Sequence, residues 1–346
     1  MALQVNFMTP NEPVIPGKTS ALLLFRKPVR FYSLERVFRQ LEPELSAQIT
    51  IRQWIAPNAG GAPGAILGNL RAAARCRADI YHVTGDIHYT VLALPRRRTL
   101  LTIHDLIFLY STKGLKRSIL KWLFLTRPVR RCKLITAISQ ATKDDIIAHT
   151  GCHPDKIVVI PNPVDGLIRF EPAVFNRLEP TLLFVGSTPN KNLDRVAEAL
   201  KDIRCRLDIV GNPPEETRRL LERSGVNFSI GTGLTGEEMA AKYVNADIVL
   251  FPSTFEGFGL PVVEGQKAGR PVITSDLSPM KEVAGPGACL VNPFDPASIR
   301  EGVLKVIADA DYREQLLQAG FINVKRFETS VVASQYLNCY KKILSQ

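Results

Sequence analysis

Two carboxylates, Glu256 and Glu264, bracket the run Gly257-Phe258-Gly259-Leu260-Pro261 within ADIVLFPSTFEGFGLPVVEGQKAGRPVITSD, residues 246–276. Residues 247–251 read as a buried strand ended by Pro252, which puts both acids at the carboxyl end of a strand, the edge of an open α/β sheet where ligands bind. Pro261 suits the first position of a helix, predicted from 261 to about 268 and stopped by Gly269. A glycine-bearing turn that feeds a helix start exposes backbone N–H groups and the positive end of the helix dipole, and so makes an anion site suited to a diphosphate. Glu264, in the first turn of that helix, suits the hydroxyls of a ribose, and Glu256, in the loop, has a different setting and a different task.

Two further places carry chemistry. TLLFVGSTPNKNLDRVAEAL (181–200) reads as strand, loop and helix, with Asn192 as the N-cap and Lys191 just before it, in reach of a phosphate drawn to the helix start. TLLTIHDLIF (99–108) places His104 and Asp105 at the carboxyl end of another strand. An imidazole near its ordinary pKa can orient or deprotonate an acceptor hydroxyl there; a histidine satisfied inside a strand-end turn is the alternative.

EGFGLPVVE resembles the E-x7-E signature of the group 1 glycosyltransferases. The resemblance implies an α/β chain of GT-B fold, two facing doubly wound Rossmann-like lobes with a deep inter-lobe cleft. It also implies a retaining, metal-independent hexosyltransferase, moving a sugar from an NDP-sugar to a hydroxyl of a saccharide or lipid-linked acceptor in glycan or cell-envelope polysaccharide synthesis. By the same resemblance Glu256 approaches the transferred sugar, the amides of Gly257, Phe258, Gly259 and Leu260 touch sugar and phosphates, and Glu264 holds the ribose. Gly186 and Lys191 are similar to the family's glycine-then-lysine loop, in which the lysine neutralises the leaving diphosphate. Ser187 stands where many members carry a basic residue, which shifts weight onto Lys191. His104 and Asp105 match the family's HD pair near acceptor and donor sugar.

The resemblance runs from about 80 to 270 and fails at the N-terminus, where TPNEPVIPGK replaces the glycine-rich acceptor loop and Gly60, Gly61 and Gly64 form a different one. Catalysis in such an enzyme rests on electrostatic stabilisation of the departing diphosphate, with lobe closure excluding water. No cofactor beyond the donor and no metal is expected, and a GDP-, UDP- or ADP-linked donor is left open. A sugar-nucleotide epimerase on the same fold and a non-catalytic sugar-nucleotide-binding protein are the rival readings.

These residues need elements to position them. At 346 residues the chain exceeds what one core usually supports, and short apolar runs separated by helical patterns predict βαβ units. Strands are expected near 3–8, 48–54, 79–84, 99–103, 133–138 and 156–160, then near 181–186, 206–210, 226–230, 246–251, 271–274 and 288–291. The predicted division is 1–165 for an acceptor-binding lobe and 166–328 for a nucleotide-sugar-binding lobe. The boundary is expected after IPNPVD (160–165), where the polar stretch GLIRFEPAVFNRLEP leads to the next strand and the hinge is placed, and 329–346 forms an amphipathic helix returning toward the first lobe.

Hydrophobic residues make up 45% and charged residues 22%, which excludes a disordered or collagenous chain. Six scattered cysteines with no C-x-x-C pair argue against a disulfide framework and for a reducing compartment. No secretory leader is expected in MALQVNFMTPNEPVIPGK, and no apolar run approaches the roughly 20 residues of a bilayer span. A cytoplasmic protein, peripheral on the membrane face, is the expectation.

The charge is uneven. Residues 1–170 hold 24 Lys and Arg against 11 Asp and Glu, whereas the rest hold 20 against 22. STKGLKRSILKWLFLTRPVRRCK (111–133) carries eight basic residues, no acidic one and the apolar cluster ILKWLFL. Such a segment fits an anionic membrane surface, or else a core helix with a solvated basic face. Beyond charge there is no nucleic-acid motif, so no nucleic-acid partner is expected.

Three patterns mimic other chemistry. GTGLTG (231–236) spells a dinucleotide fingerprint, but it comes late in its lobe, and Thr235 with Glu238 makes a capping box. His149, Cys152 and His153 have metal-like spacing without a fourth ligand. Asp309 and Asp311 spell D-x-D within an ordinary charged helical stretch.

Overall fold

The computed structural model describes residues 18–27, 33–110 and 112–345. The strand expected near 3–8 lies outside the described residues. Two compact units emerge: one that runs to Pro163 and takes up the chain again from Thr329, and one that is Val164–Glu328.

The first unit holds six parallel strands, β1 Ser20–Phe25, β2 Thr50–Ile55, β3 Ile80–Val83, β4 Thr99–Ile103, β5 Leu134–Ala137 and β6 Ile157–Val159, in the order 2-1-3-4-5-6. β1 is SALLLF, a run with no polar alternation because both of its faces are covered, as in parallel sheets generally. Leu22 and Leu24 enter the core on one face with Tyr81, Val83, Leu101 and Ile135. Ala21, Leu23 and Phe25 enter the other, with Phe38 and Leu41 of the helix Ser33–Ser46.

The last helix, Thr329–Leu344, completes that second face with Val332, Tyr336, Leu337 and Tyr340. The Tyr336 ring lies 5.5 Å from that of Phe38, and the Tyr340 hydroxyl sits 2.7 Å from Nδ1 of the buried His82. Each fully buried ring stabilises the unit by about 2 kcal/mol. This helix thus contributes one of its faces to the core of the first unit.

The second unit is built from β7 Thr181–Val185, β8 Arg206–Val210, β9 Asn227–Gly231, β10 Ile248–Phe251, β11 Val272–Ser275 and β12 Cys289–Val291, all parallel, in the order 12-11-10-7-8-9. From β7 the chain winds outward through β8 and β9, then returns to lay β10, β11 and β12 on the other side. The winding direction reverses between β7 and β10. The carboxyl ends of strands at such a reversal are where open α/β sheets bind ligands.

The chain passes between units after Pro163 and after Glu328, and just inside the second unit the Val164 amide donates to the Phe327 carbonyl at 2.8 Å. Asp165 is buried there, its carbonyl accepting from Lys267 Nζ at 2.8 Å. IPNPVD thus ends in a pinned junction.

Candidate active site

β7 and β10 are hydrogen-bonded neighbours, so the loops that follow them meet. After β7 the chain turns at Gly186, whose φ is +101°, passes a 3-10 turn at Pro189–Lys191 and enters the helix Leu193–Ala199. A Cβ on Gly186 would sit 2.7 Å from Cε and 2.9 Å from Cγ of Lys191. Glycine is required here twice over, by the left-handed backbone and by the lysine side chain that crosses it.

Lys191 Nζ donates to Glu256 Oε1 at 2.6 Å, with both side chains less than one-fifth exposed, and lies 4.6 Å from the centroid of the Phe251 ring. Asn190 braces the pair: its Nδ2 donates to Glu256 Oε1 at 3.2 Å and to the Phe255 carbonyl at 2.8 Å, and its own carbonyl accepts from the Thr254 amide at 2.8 Å. The two loops are laced into one rigid rim.

Asn192 is the N-cap residue expected from the sequence, but it does not cap in the ordinary way. It starts the helix in a left-handed conformation and makes no side-chain cap. Its amide points inward instead, donating to the carbonyls of Pro252 at 3.1 Å and Pro293 at 2.6 Å, because at 4% exposure it satisfies buried acceptors rather than its own helix. Ser187 accepts from the Asn212 amide at 3.1 Å, tying the loop after β7 to the one after β8.

The helix expected at 261–268 is Leu260–Lys267, with Gly259 at φ +103° as its N-cap and Pro261 in the second position. Glu264 accordingly stands one residue further into the helix than the sequence suggests, at its fifth position. The amides of Phe258, Gly259 and Leu260 donate to no acceptor among the described residues. Phe258 buries its ring against Phe327 at 5.6 Å, so only its backbone faces the site chemistry. Consecutive undonating amides in a glycine turn form an anion-binding concavity. Gly265 holds the helix close to the sheet, since a Cβ there would lie 2.9 Å from Val249 and Val272.

Glu264 Oε2 accepts from the Tyr243 hydroxyl at 2.5 Å. Tyr243 is fully buried on the helix Gly236–Asn245, so its hydroxyl gives the carboxylate a fixed partner. Sequence reasoning missed both Tyr243 and Asn190. Nothing in EEMAAKY or STPNK distinguishes them, because their roles depend on a neighbouring strand's loop.

In the first unit His104 follows β4, 3% exposed, with Nε2 donating to the Thr84 carbonyl at 2.9 Å and Nδ1 buried without a partner among the described residues. Burial holds its pKa below the ordinary value, against the opposing pull of Asp86 and Asp105. A neutral ring with an acceptor nitrogen results. Asp105 Oδ1 accepts from the Ile107 amide at 2.9 Å, so one of its oxygens serves a turn. His88, not singled out in the sequence, is a parallel case: Nδ1 lies 2.8 Å from the Phe124 carbonyl, Nε2 is buried without a described partner, and burial lowers its pKa.

The mimics resolve locally. Thr235 and Glu238 form the capping box of the helix Gly236–Asn245, and Asp309 caps Ala310–Val324 by accepting from the Tyr312 amide. Among the described residues no group of three metal-binding side chains stands together, and all six cysteines are unpaired.

Two family models match the chain, one described as Glycosyltransferase Family 4 over residues 29–166 and one as Glycosyl transferases group 1 over residues 179–309. The chain belongs to the group 1 glycosyltransferases. It is 26% identical over 234 residues to MMP alpha-(1->4)-mannosyltransferase of Mycolicibacterium hassiacum, a match covering 64% of this chain and 56% of that protein. With phosphatidyl-myo-inositol mannosyltransferase of Mycobacterium leprae it shares 31% identity over 182 residues, 49% of each chain. The matched region thus spans about half the length of these relatives.

Anabaena Alr3699/HepE, solved in complex with UDP and glucose, superposes with a TM-score of 0.73 at 15% identity, covering 93% of this chain and 99% of that one. At that identity the likeness establishes the fold. This group 1 glycosyltransferase has the two Rossmann-like lobes of GT-B.

Proposed function

We propose that this group 1 glycosyltransferase is a hexosyltransferase that binds an NDP-sugar in its second unit and passes the sugar to a hydroxyl of a saccharide or lipid-linked acceptor in glycan or envelope polysaccharide synthesis. The observation that carries the reading is the ion pair of Lys191 with Glu256, set at the switch point of the sheet beside the undonating amides of 258–260. Lys191 and those amides hold the pyrophosphate and stabilise the charge that grows on it as the glycosidic bond breaks. Glu256 stays beside the sugar, and Glu264, oriented by Tyr243, accepts from the ribose hydroxyls. His104, kept neutral by burial, is the acceptor-side group, with Asp105 next to it.

Without donor, Lys191 and Glu256 neutralise one another. When an anionic diphosphate arrives the lysine serves both partners, so the site need not strip a solvated cation of its water. Mannose leads the candidate sugars, since the relatives named above are mannosyltransferases, and a uridine nucleotide is one candidate carrier, since the HepE complex contains UDP. Retention of anomeric configuration and independence of metal belong to the reading, as does a cytoplasmic site of action, peripheral on an anionic membrane face. Among the described residues no helix is long and apolar enough to cross a membrane.

A thermal-shift panel of GDP-, UDP- and ADP-sugars, followed by transfer assays with the donor that binds, tests this. Glu256→Ala and Lys191→Ala should each lower turnover by about 10²–10³-fold, the scale of losing one preorganised electrostatic contact. Full donor binding and full turnover in both variants would remove the site from consideration.

A further inference from the structure

The helix Gly114–Leu120 buries none of its residues. It continues into the π-helical turn Lys121–Thr126 and the helix Arg127–Arg131, where Leu125 and Val129 are fully buried and anchor the segment. Leu115, Ile119 and Trp122 recur at i, i+4 and i+7, which places them along one helical face. That face points to water: the three are 77%, 54% and 52% exposed, and Ile107 and Tyr110, just upstream, are 48% and 52% exposed. Five large apolar side chains within sixteen residues form a patch that a soluble monomer has no reason to keep.

Cations surround it. Lys113, Lys116, Arg117 and Arg127 are exposed, Lys121 is half-buried, and no acidic residue occurs between 111 and 133. The Arg127 guanidinium lies 5.3 Å from the Trp122 ring centroid, and two carboxylates stand at the upstream edge of the patch: Asp105, whose Oδ1 accepts from the Ile107 amide at 2.9 Å, and Asp145, 3.3 Å from the Tyr110 hydroxyl. The sequence left two readings of this segment, a core helix or a membrane-facing one. Exposure of the apolar side rejects the first.

We propose that the face carrying Leu115, Ile119 and Trp122 docks this chain onto an anionic lipid bilayer, the apolar stripe entering the boundary between headgroups and acyl chains and the lysines and arginines meeting the headgroup charges. An apolar stripe with basic flanks and an interfacial tryptophan is what such a surface selects. A second copy of the chain is a poor occupant, because a two-fold contact would press the same cations against each other. The inference extends the peripheral placement in the reading above and is independent of the transfer chemistry.

The test uses the full chain with vesicles of phosphatidylcholine alone and of phosphatidylcholine with phosphatidylglycerol, read by co-sedimentation and tryptophan emission. Of the two tryptophans Trp54 is buried, so a blue shift on binding reports Trp122. The anionic vesicles should sediment the protein with a blue shift, and the neutral ones should not. Replacing Lys113, Lys116 and Arg117 together by Ala should weaken that binding roughly a hundredfold, at about one kcal/mol per cation. Leu115→Ser with Ile119→Ser should abolish the shift. Both sets of changes are on exposed positions, so melting temperature and donor-induced thermal shift should stay as in the unaltered chain, which separates this outcome from a failure of the donor site. Equal binding to both vesicles, undiminished binding by the triple variant, or a concentration-dependent dimer dissolved by the serine changes would overturn the proposal.

Discussion

Tyr243 shows what a single side chain contributes to the donor site. Its hydroxyl fixes one oxygen of Glu264 from a fully buried position, which gives the carboxylate a defined direction; in the proposed function that direction is toward the ribose. Tyr243→Phe keeps the ring and its packing while removing that hydrogen bond, a change of about 0.5–1.5 kcal/mol. Calorimetric titration should therefore show donor affinity about three- to tenfold weaker, with melting nearly unchanged. Unaltered affinity would detach Glu264 from the ribose. At this scale the positions of Glu256 and Lys191 were legible in the sequence because each follows a strand in a loop marked by glycine and proline, that of Glu264 because Pro261 signals the helix start, and that of His104 because it directly follows an apolar strand. Asn190, Tyr243 and the inward amide of Asn192 were not, since their partners lie about 20–100 residues away and only the sheet order brings them close.

The loop after β7 works as an element because Gly186 lets the chain turn left-handed beneath Lys191. Gly186→Ala would put a Cβ into the lysine's own carbons on a backbone that disfavours any side chain. The cost is about 1–3 kcal/mol for the conformation alone. Chemical denaturation should show that loss, and donor affinity should fall further than stability explains, since Lys191 must leave Glu256. A stable variant with normal affinity would mean that the lysine is placed by other contacts. All six strands of the second unit were legible, each a short β-branched or aromatic run bounded by turn residues. In the first unit β1 was not: SALLLF has no alternation and no β-branched residue, and leucine runs do not tell a strand from a buried helix.

At the scale of the whole chain, acid should act on one unit before the other. All five histidines precede Pro163, and His82, His88 and His104 are buried. Burial lowers the pKa of each, that of His82 to about 3. Their folded values lie below the unfolded value of about 6.5, so above that pH the neutral forms cost nothing, and as pH falls through it the unfolded chain gains protons that the folded one refuses. Stability of the first unit should fall as pH drops below 6.5, at up to ~1.4 kcal/mol per pH unit from His82 alone, with His88 and His104 adding in the same direction. Hydrogen exchange at pH 5 should show amides of β1–β5 losing protection ahead of β7–β12, and loss in the reverse order would contradict the assignment. The basic surplus of the first half was plain in the sequence. Its use was not, because only the fold shows that Leu115, Ile119 and Trp122 stay in water.

The proposed chemistry depends on where the pyrophosphate binds, and a crystal structure with the donor that gives the largest thermal shift measures that directly. The expected result is a diphosphate within hydrogen-bonding distance of the amides of 258–260 and of Lys191 Nζ, with the ribose hydroxyls on Glu264 and the sugar beside Glu256. Donor bound elsewhere in the chain, or bound here with Lys191 still paired to Glu256 alone and no contact to the phosphates, would contradict it.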